Sequence, residues 1–220
     1  MILSAFTRRL VLYGCCAVLV LLLSACNNKP GSALSPDTAH SGQELFAVAV
    51  DRSGSTTGMR DELLKHLETA ELLASRRQAY LQIWAFDHTG ECIYGSATYN
   101  PKGVAEVVKE ELATTTTKAR PITRPALLLE NILKDPHFQQ VSKPCLLLLT
   151  DGDAEDANDA KRFQAAINEL GKKPGLRFAL IGVRPENRKT WEAALNVSLS
   201  GRYRITGLNE ADDAINFLKE

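Results

Sequence analysis

The sequence predicts a doubly wound α/β domain, a mainly parallel sheet with helices on both faces. Three observations carry that expectation. From residue 44 onward, apolar runs of strand length alternate with stretches of helical period. Cys145–Thr150 (CLLLLT) is apolar up to its closing threonine, as a central parallel strand covered on both faces must be. The clusters DRSGS and TDGD stand directly after two of these runs, at strand carboxyl ends, where open α/β sheets build their sites.

Taken in order, Glu44–Val50 (ELFAVAV) is a strand that ends at the turn DRSGSTTG. Arg60–Arg76 follows as a helix, with Leu63, Leu64, Leu67, Ala70, Leu72 and Leu73 approximating one apolar face. Ala79–Phe86 (AYLQIWAF) is the second strand, and Thr89-Gly90 turns the chain into Glu91–Tyr94, an antiparallel edge strand. Pro101–Leu112 reads as a helix with its proline in the tolerated first turn. Ala113–Arg120, with four consecutive threonines, is a loop; Arg124–Lys134 is helical, and Pro136 lies just beyond its end. After the strand Cys145–Thr150 come a helix over Ala157–Leu170, stopped by Gly171, and a buried strand over Leu176–Val183. Arg188–Leu195 is a helix and Arg202–Ile205 a strand; a last helix spans Asn209–Lys219, with Asn209 as its cap. This makes six strands, and no internal repeat is visible.

The chain has 220 residues, 26 Lys+Arg against 26 Asp+Glu, 24% charged and 45% hydrophobic. That length suits one domain with a tail, and the balanced charge argues against both disorder and nucleic-acid binding. The tail is N-terminal. Arg8 and Arg9 precede an apolar run from Leu10 to Cys26, and the first acid is Asp37. A basic start, an apolar middle and small residues at the end form the layout of a secretory signal. Leu23-Ser24-Ala25-Cys26 resembles the lipobox of bacterial lipoproteins. The resemblance implies a signal peptide over 1–25, cleavage before Cys26 and lipid on its thiol. The other reading is an uncleaved membrane anchor. In both, residues 26–43, rich in Pro, Gly, Ser and Asn, form a flexible linker, and 44–220 form the domain outside the cytoplasm. The expected location is the bacterial cell envelope, facing the periplasm or the exterior from the outer or inner membrane. Cys15 and Cys16 leave with the signal. Cys92 and Cys145 fall on two different strands and are expected as unpaired, buried thiols.

Asp51, Ser53 and Ser55 have a D-x-S-x-S spacing that lets one tight turn point three oxygen side chains the same way. If the first strand and the leucine-rich strand are neighbours, Asp151 faces them. Two hydroxyls and two carboxylates, without His or Cys, suit Mg²⁺ rather than zinc or a redox metal. These motifs, DRSGS after an apolar strand and LLLLTDGD about a hundred residues later, resemble the von Willebrand factor A (VWA) domain, over essentially all of Glu44–Glu220. The resemblance implies a Rossmann-like sheet ordered 3-2-1-4-5-6 with the edge strand antiparallel. It further implies a metal-ion-dependent adhesion site (MIDAS) for Mg²⁺ or Mn²⁺. In that site Ser53 and Ser55 are direct ligands, while Asp51 and Asp151 act largely through hydrogen bonds and metal-bound water. The family's threonine falls on Thr123; the usual Gly-Gly before it is absent, and Thr117 is the alternative. The family's open coordination position is filled by a carboxylate of a protein partner. Such a site needs no catalytic acid or base, so the expectation is a binding module and not an enzyme.

Other readings use the same residues. The run Asp151–Asp156 lacks the glycine and glutamate that a calcium loop needs at its sixth and twelfth positions, where Asp156 and Arg162 stand. Beyond Asp151 it reads as a solvated helix start. A Mg²⁺-dependent hydrolase could use Asp51 as a nucleophile, although Ser53 stands where a second acid is usually wanted, and neither a G-x-S-x-G elbow nor a P-loop is present. A structural module with a vestigial site is the third class. His88 and its neighbour Asp87 follow a strand near the metal end, where a surface role is expected. Arg52, expected to be exposed, and Arg124 would form a positive rim for an acidic partner.

Overall fold

A computed structural model describes residues 44–97, 103–104, 106–110, 123–154 and 160–220. Its centre is a six-stranded sheet: β1 (Leu45–Asp51), β2 (Tyr80–Phe86), β3 (Gly90–Ser96), β4 (Pro144–Leu149), β5 (Arg177–Ile181) and β6 (Tyr203–Thr206). The spatial order is β3-β2-β1-β4-β5-β6. All neighbours are parallel except β2 and β3, whose antiparallel register shifts between Ile83 and Trp84. Every residue of β1, β2 and β4 is buried, whereas β3 is only half-buried, as befits an edge. The sheet therefore has the predicted class, order and edge strand.

Side chains alternate across the sheet, which gives two cores. Ala47, Ala49, Leu146, Leu148, Phe178 and Leu180 face one side. There they meet Leu129 and Ile132, Phe163 and Ile167, and Trp191 and Leu195, from the helices Pro125–Lys134, Ala160–Gly171 and Pro185–Leu199. Phe46, Val48, Val50, Leu147, Leu149 and Ile181 face the other side. Leu63 and Leu67 from Arg60–Arg76 cover them, with Ile215 and Leu218 from Ala211–Lys219. Each large apolar side chain so buried contributes about 1.5–3 kcal/mol. Two covered faces explain why β1 and β4 lack polar relief, and why the loops at the strand carboxyl ends carry the polar chemistry.

Several boundaries differ from expectation for local reasons. Pro136 opens a short helix, Pro136–Gln140, instead of closing off the previous one. Asp135 caps it by accepting from the Phe138 N–H at 3.0 Å, and Phe138 drops into the core. The helix expected at Arg188–Leu195 runs over Pro185–Leu199 because Pro185 is tolerated in its first turn. Asn209 does not cap the last helix. It lies in the 3₁₀ turn Leu208–Glu210, and the helix begins at Ala211 with Asp212 and Asp213 in its first turn. There acids favour the helix dipole without a side-chain cap. The first strand-end loop carries a 3₁₀ turn, Gly54–Met59, leading into Arg60–Arg76. Residues 103–104 and 106–110 are helical, within the helix expected there. The threonine loop with Thr117, and residues 155–159 of the acidic run, lie outside the described residues. Cys92 on β3 and buried Cys145 on β4 are free thiols, held apart by the strand order.

Candidate metal centre

β1 and β4 are adjacent, so their carboxyl ends bring Asp51 beside Thr150 and Asp151. Asp51 is fully buried. Its Oδ1 accepts the Ser53 N–H at 2.9 Å, and its Oδ2 accepts the Thr150 hydroxyl at 2.7 Å. The Ser53 and Ser55 hydroxyl oxygens lie 2.9 Å apart. Thr56 locks this turn from beneath, donating to the carbonyls of Asp51 at 3.0 Å and Ser53 at 2.9 Å. Sequence reasoning passed over Thr56; the signal was a hydroxyl residue just after the D-x-S-x-S turn.

The second loop is fixed with equal detail. Thr150 Oγ1 accepts the Gly152 N–H at 3.0 Å, and Asp151 Oδ1 accepts the Asp153 N–H at 3.1 Å. Gly152 has φ +85°, the left-handed region that glycine tolerates best, and a Cβ there would stand 2.8 Å from Val183 Cγ1. From the helix Pro185–Leu199, Trp191 Nε1 donates to the Gly152 carbonyl at 3.0 Å, and Asn187 Nδ2 donates to the Asp151 carbonyl at 3.1 Å and to Asp153 Oδ1 at 2.8 Å. Asn187, Trp191 and Arg184 were absent from the sequence expectation, since nothing local links them to a loop more than thirty residues earlier.

Thr123 stands at the same edge of the sheet. The next residue, Arg124, donates its N–H to the Asp87 carbonyl at the end of β2, at 2.8 Å. The Thr123 hydroxyl is buried and has no hydrogen-bond partner among the described residues. A buried polar atom left so is costly unless something else satisfies it. Asp151 Oδ2 likewise accepts no hydrogen bond, although an Arg184 guanidinium nitrogen lies 3.2 Å away.

Burial of Asp51 and Asp151 concentrates negative charge. Removal from water, partly offset by the hydrogen bonds from Ser53 and Thr150 and reinforced by Asp151, pushes the Asp51 carboxyl up to about 7. A divalent cation would relieve that cost. The donor set fits one: hydroxyls at Ser53, Ser55 and Thr123, carboxylates at Asp51 and Asp151, and an orphaned buried oxygen in Thr123. Among the described residues no three His, Cys, Asp or Glu side chains converge, so hydroxyl oxygens dominate the set.

Arg52 departs from expectation. It is 8% exposed, not a free rim residue. Its guanidinium donates to Thr89 Oγ1 at 3.0 Å and to Glu91 Oε1, with Asp87 Oδ2 3.4 Å away. Acids on the β2–β3 hairpin draw the side chain inward. Arg124 is exposed. Asp87 shapes the hairpin by accepting from the Thr89 N–H at 2.9 Å and the Thr89 hydroxyl at 3.1 Å. His88 is at the surface, 30% exposed, with Nδ1 2.8 Å from Asp87 Oδ1.

Neither a family model nor a curated protein matches the sequence. Solved structures do match in fold. Proximal thread matrix protein 1 from the mussel byssus, in a structure with a zinc-occupied MIDAS motif, is 15% identical with a TM-score of 0.54; the match covers 81% of this chain and 46% of that one. A von Willebrand factor type A structure from Catenulispora acidiphila is 15% identical, with a TM-score of 0.52 over 80% of this chain and 42% of that one. The N-terminal domain of TFIIH p34 is 10% identical, with a TM-score of 0.58 over 80% of this chain and 96% of that one. The match thus spans under half the length of the byssus and Catenulispora chains. At these identities the likeness concerns the fold: the described residues have a VWA-like, Rossmann-like α/β architecture.

Proposed function

We propose that this protein is a lipid-anchored, extracytoplasmic VWA-like module that docks a protein partner through Mg²⁺ or Mn²⁺ held by Asp51, Ser53, Ser55, Thr123 and Asp151. The observation that carries the reading is the Ser53–Ser55 hydroxyl pair, 2.9 Å apart, in the loop that follows buried Asp51 on β1, next to the strand that leads to buried Asp151. A divalent cation, when bound, would supply charge that offsets those carboxylates and would accept a partner's carboxylate as a further ligand. The chain's own part is preorganisation. Thr56 and the Ser53 N–H shape the first loop, while Asn187 and Trp191 hold the second. Both oxygens of Asp51 are engaged by hydrogen bonds, which suits an orienting role better than nucleophilic attack.

Thermal unfolding of the full chain in detergent tests the site, with EDTA, Mg²⁺ or Mn²⁺ present. A ligand that binds only the native state raises the melting temperature as its concentration rises. The wild type should shift upward by millimolar metal, and Ser53→Ala and Asp151→Asn should lose the shift. An unshifted wild type overturns the reading that the free domain holds metal by itself. The anchor has its own test: Cys26→Ser should abolish incorporation of labelled palmitate and the protein's retention on membranes.

A further inference from the structure

Arg184 touches both candidate metal loops from a fourth element. It follows β5 and precedes the helix Pro185–Leu199, and its N–H donates to the Asp151 carbonyl at 3.0 Å. Its Nη2 donates to the Ser55 carbonyl at 3.0 Å and lies 3.2 Å from Asp151 Oδ2. One guanidinium nitrogen therefore spans an oxygen of the first loop and a carboxylate oxygen of the second. It is in ion-pair contact with buried Asp151, and its own side chain is 42% exposed. A cation so placed compensates Asp151, and it remains free to swing into solvent because it is only half covered.

We propose that Arg184 is a tethered counter-cation of the site: it steadies Asp151 and the Ser55 turn in the metal-free protein, and it lowers metal affinity by competing for Asp151 Oδ2. The inference rests on the metal reading above. A dication entering beside Asp151 meets a positive charge already on that carboxylate and must displace it or share it. The domain then holds metal weakly by itself, and binding strengthens when Arg184 is drawn off. A tie that merely braced the two loops would have the opposite effect, since its loss would loosen the ligands.

The test is Mn²⁺ titration of the full chain in detergent, with the free ion read by electron paramagnetic resonance, on the wild type, Arg184→Gln and Arg184→Lys. Arg184→Gln keeps hydrogen-bonding capacity and removes the charge, so its Mn²⁺ affinity should rise about tenfold at low salt. Arg184→Lys should stay near the wild type. The gap between Gln and wild type should narrow toward about 0.5 M salt as charges are screened. Metal-free Arg184→Gln should also melt lower than the wild type, with a native circular dichroism spectrum below the transition. Binding in Arg184→Gln where the wild type shows none supports the proposal in its strongest form. Wild-type binding with equal or weaker binding in Arg184→Gln overturns the counter-cation role and leaves the metal site standing. Absence of binding in every variant up to millimolar Mn²⁺ overturns both.

Discussion

The Thr150 hydroxyl donates to Asp51 Oδ2 at 2.7 Å, joining two residues 99 apart in sequence. The Thr150 hydroxyl oxygen also accepts the Gly152 N–H at 3.0 Å, so one side chain sets the position of the first-loop carboxylate and the path of the second loop. Asp51 and Asp151 stand out in the sequence by their place at strand ends, yet it is the Thr150 hydroxyl that ties their loops together.

Thr150→Val tests that tie. Valine keeps the shape and removes both hydrogen bonds, leaving a buried carboxylate short of a donor. Stability at pH 8 should fall by about 1–3 kcal/mol, measured by urea unfolding. The loss should shrink below pH 6, where protonation relieves Asp51, whose carboxyl already sits at about 7. An unchanged denaturation midpoint at pH 8 would count against the tie.

Gly152→Ala strains the second loop twice. The backbone sits at φ +85°, and the new methyl would meet Val183 Cγ1 at 2.8 Å and Asn187 Cβ at 3.1 Å. The expected cost is about 1–3 kcal/mol, read as a lower thermal midpoint. Because Asp151 precedes this glycine, any metal-induced stabilisation should weaken as well. A midpoint equal to wild type would show that the loop relaxes around the methyl.

Legibility in the sequence followed the range of the interactions. Strand alternation and the unbroken CLLLLT run identify the sheet, because burial of both faces acts on each strand residue by residue. Asp51, Ser53 and Ser55 are readable together because one turn holds all three. Arg184, Asn187 and Trp191 are not, since they reach the loop from positions 33 to 39 residues further along the chain. Arg52 misled for a related reason. A lone arginine in a polar turn reads as solvated until Asp87 and Glu91 arrive from another strand pair. Pro136 misled because a proline marks a helix end or a helix start equally well, and Asp135 decided it through a cap.

Arg52→Ala should therefore behave as a stability variant. It strips the partner from buried Asp87 and from Glu91, and unpins the first loop from the β2–β3 hairpin. Destabilisation on the order of 2–4 kcal/mol is expected, because the buried Asp87 carboxylate would lose the guanidinium beside it. Guanidinium unfolding measures it. A loss below about 0.5 kcal/mol would return Arg52 to the role of a surface charge.

Glu71 gives the domain a pH dependence outside the candidate metal loops. It lies on the helix Arg60–Arg76, fully buried, and neither carboxylate oxygen has a hydrogen-bond partner among the described residues. Burial, with the charge of Glu68 added, raises its carboxyl from 4.5 to about 7. Between those values the folded state holds a proton that the unfolded chain has released, so this residue makes stability fall as pH rises through the window. Below about 4.5 both states are protonated and the penalty vanishes; above about 7 it is complete. Glu71→Gln removes the ionisation while nearly conserving shape. The variant should match the wild type near pH 4 and exceed it at pH 8 by on the order of 3 kcal/mol. Urea unfolding of both proteins across that range checks the sign. A constant difference between them at every pH would mean that Glu71 titrates alike in the folded and unfolded chains, and that its carboxylate reaches water despite its burial.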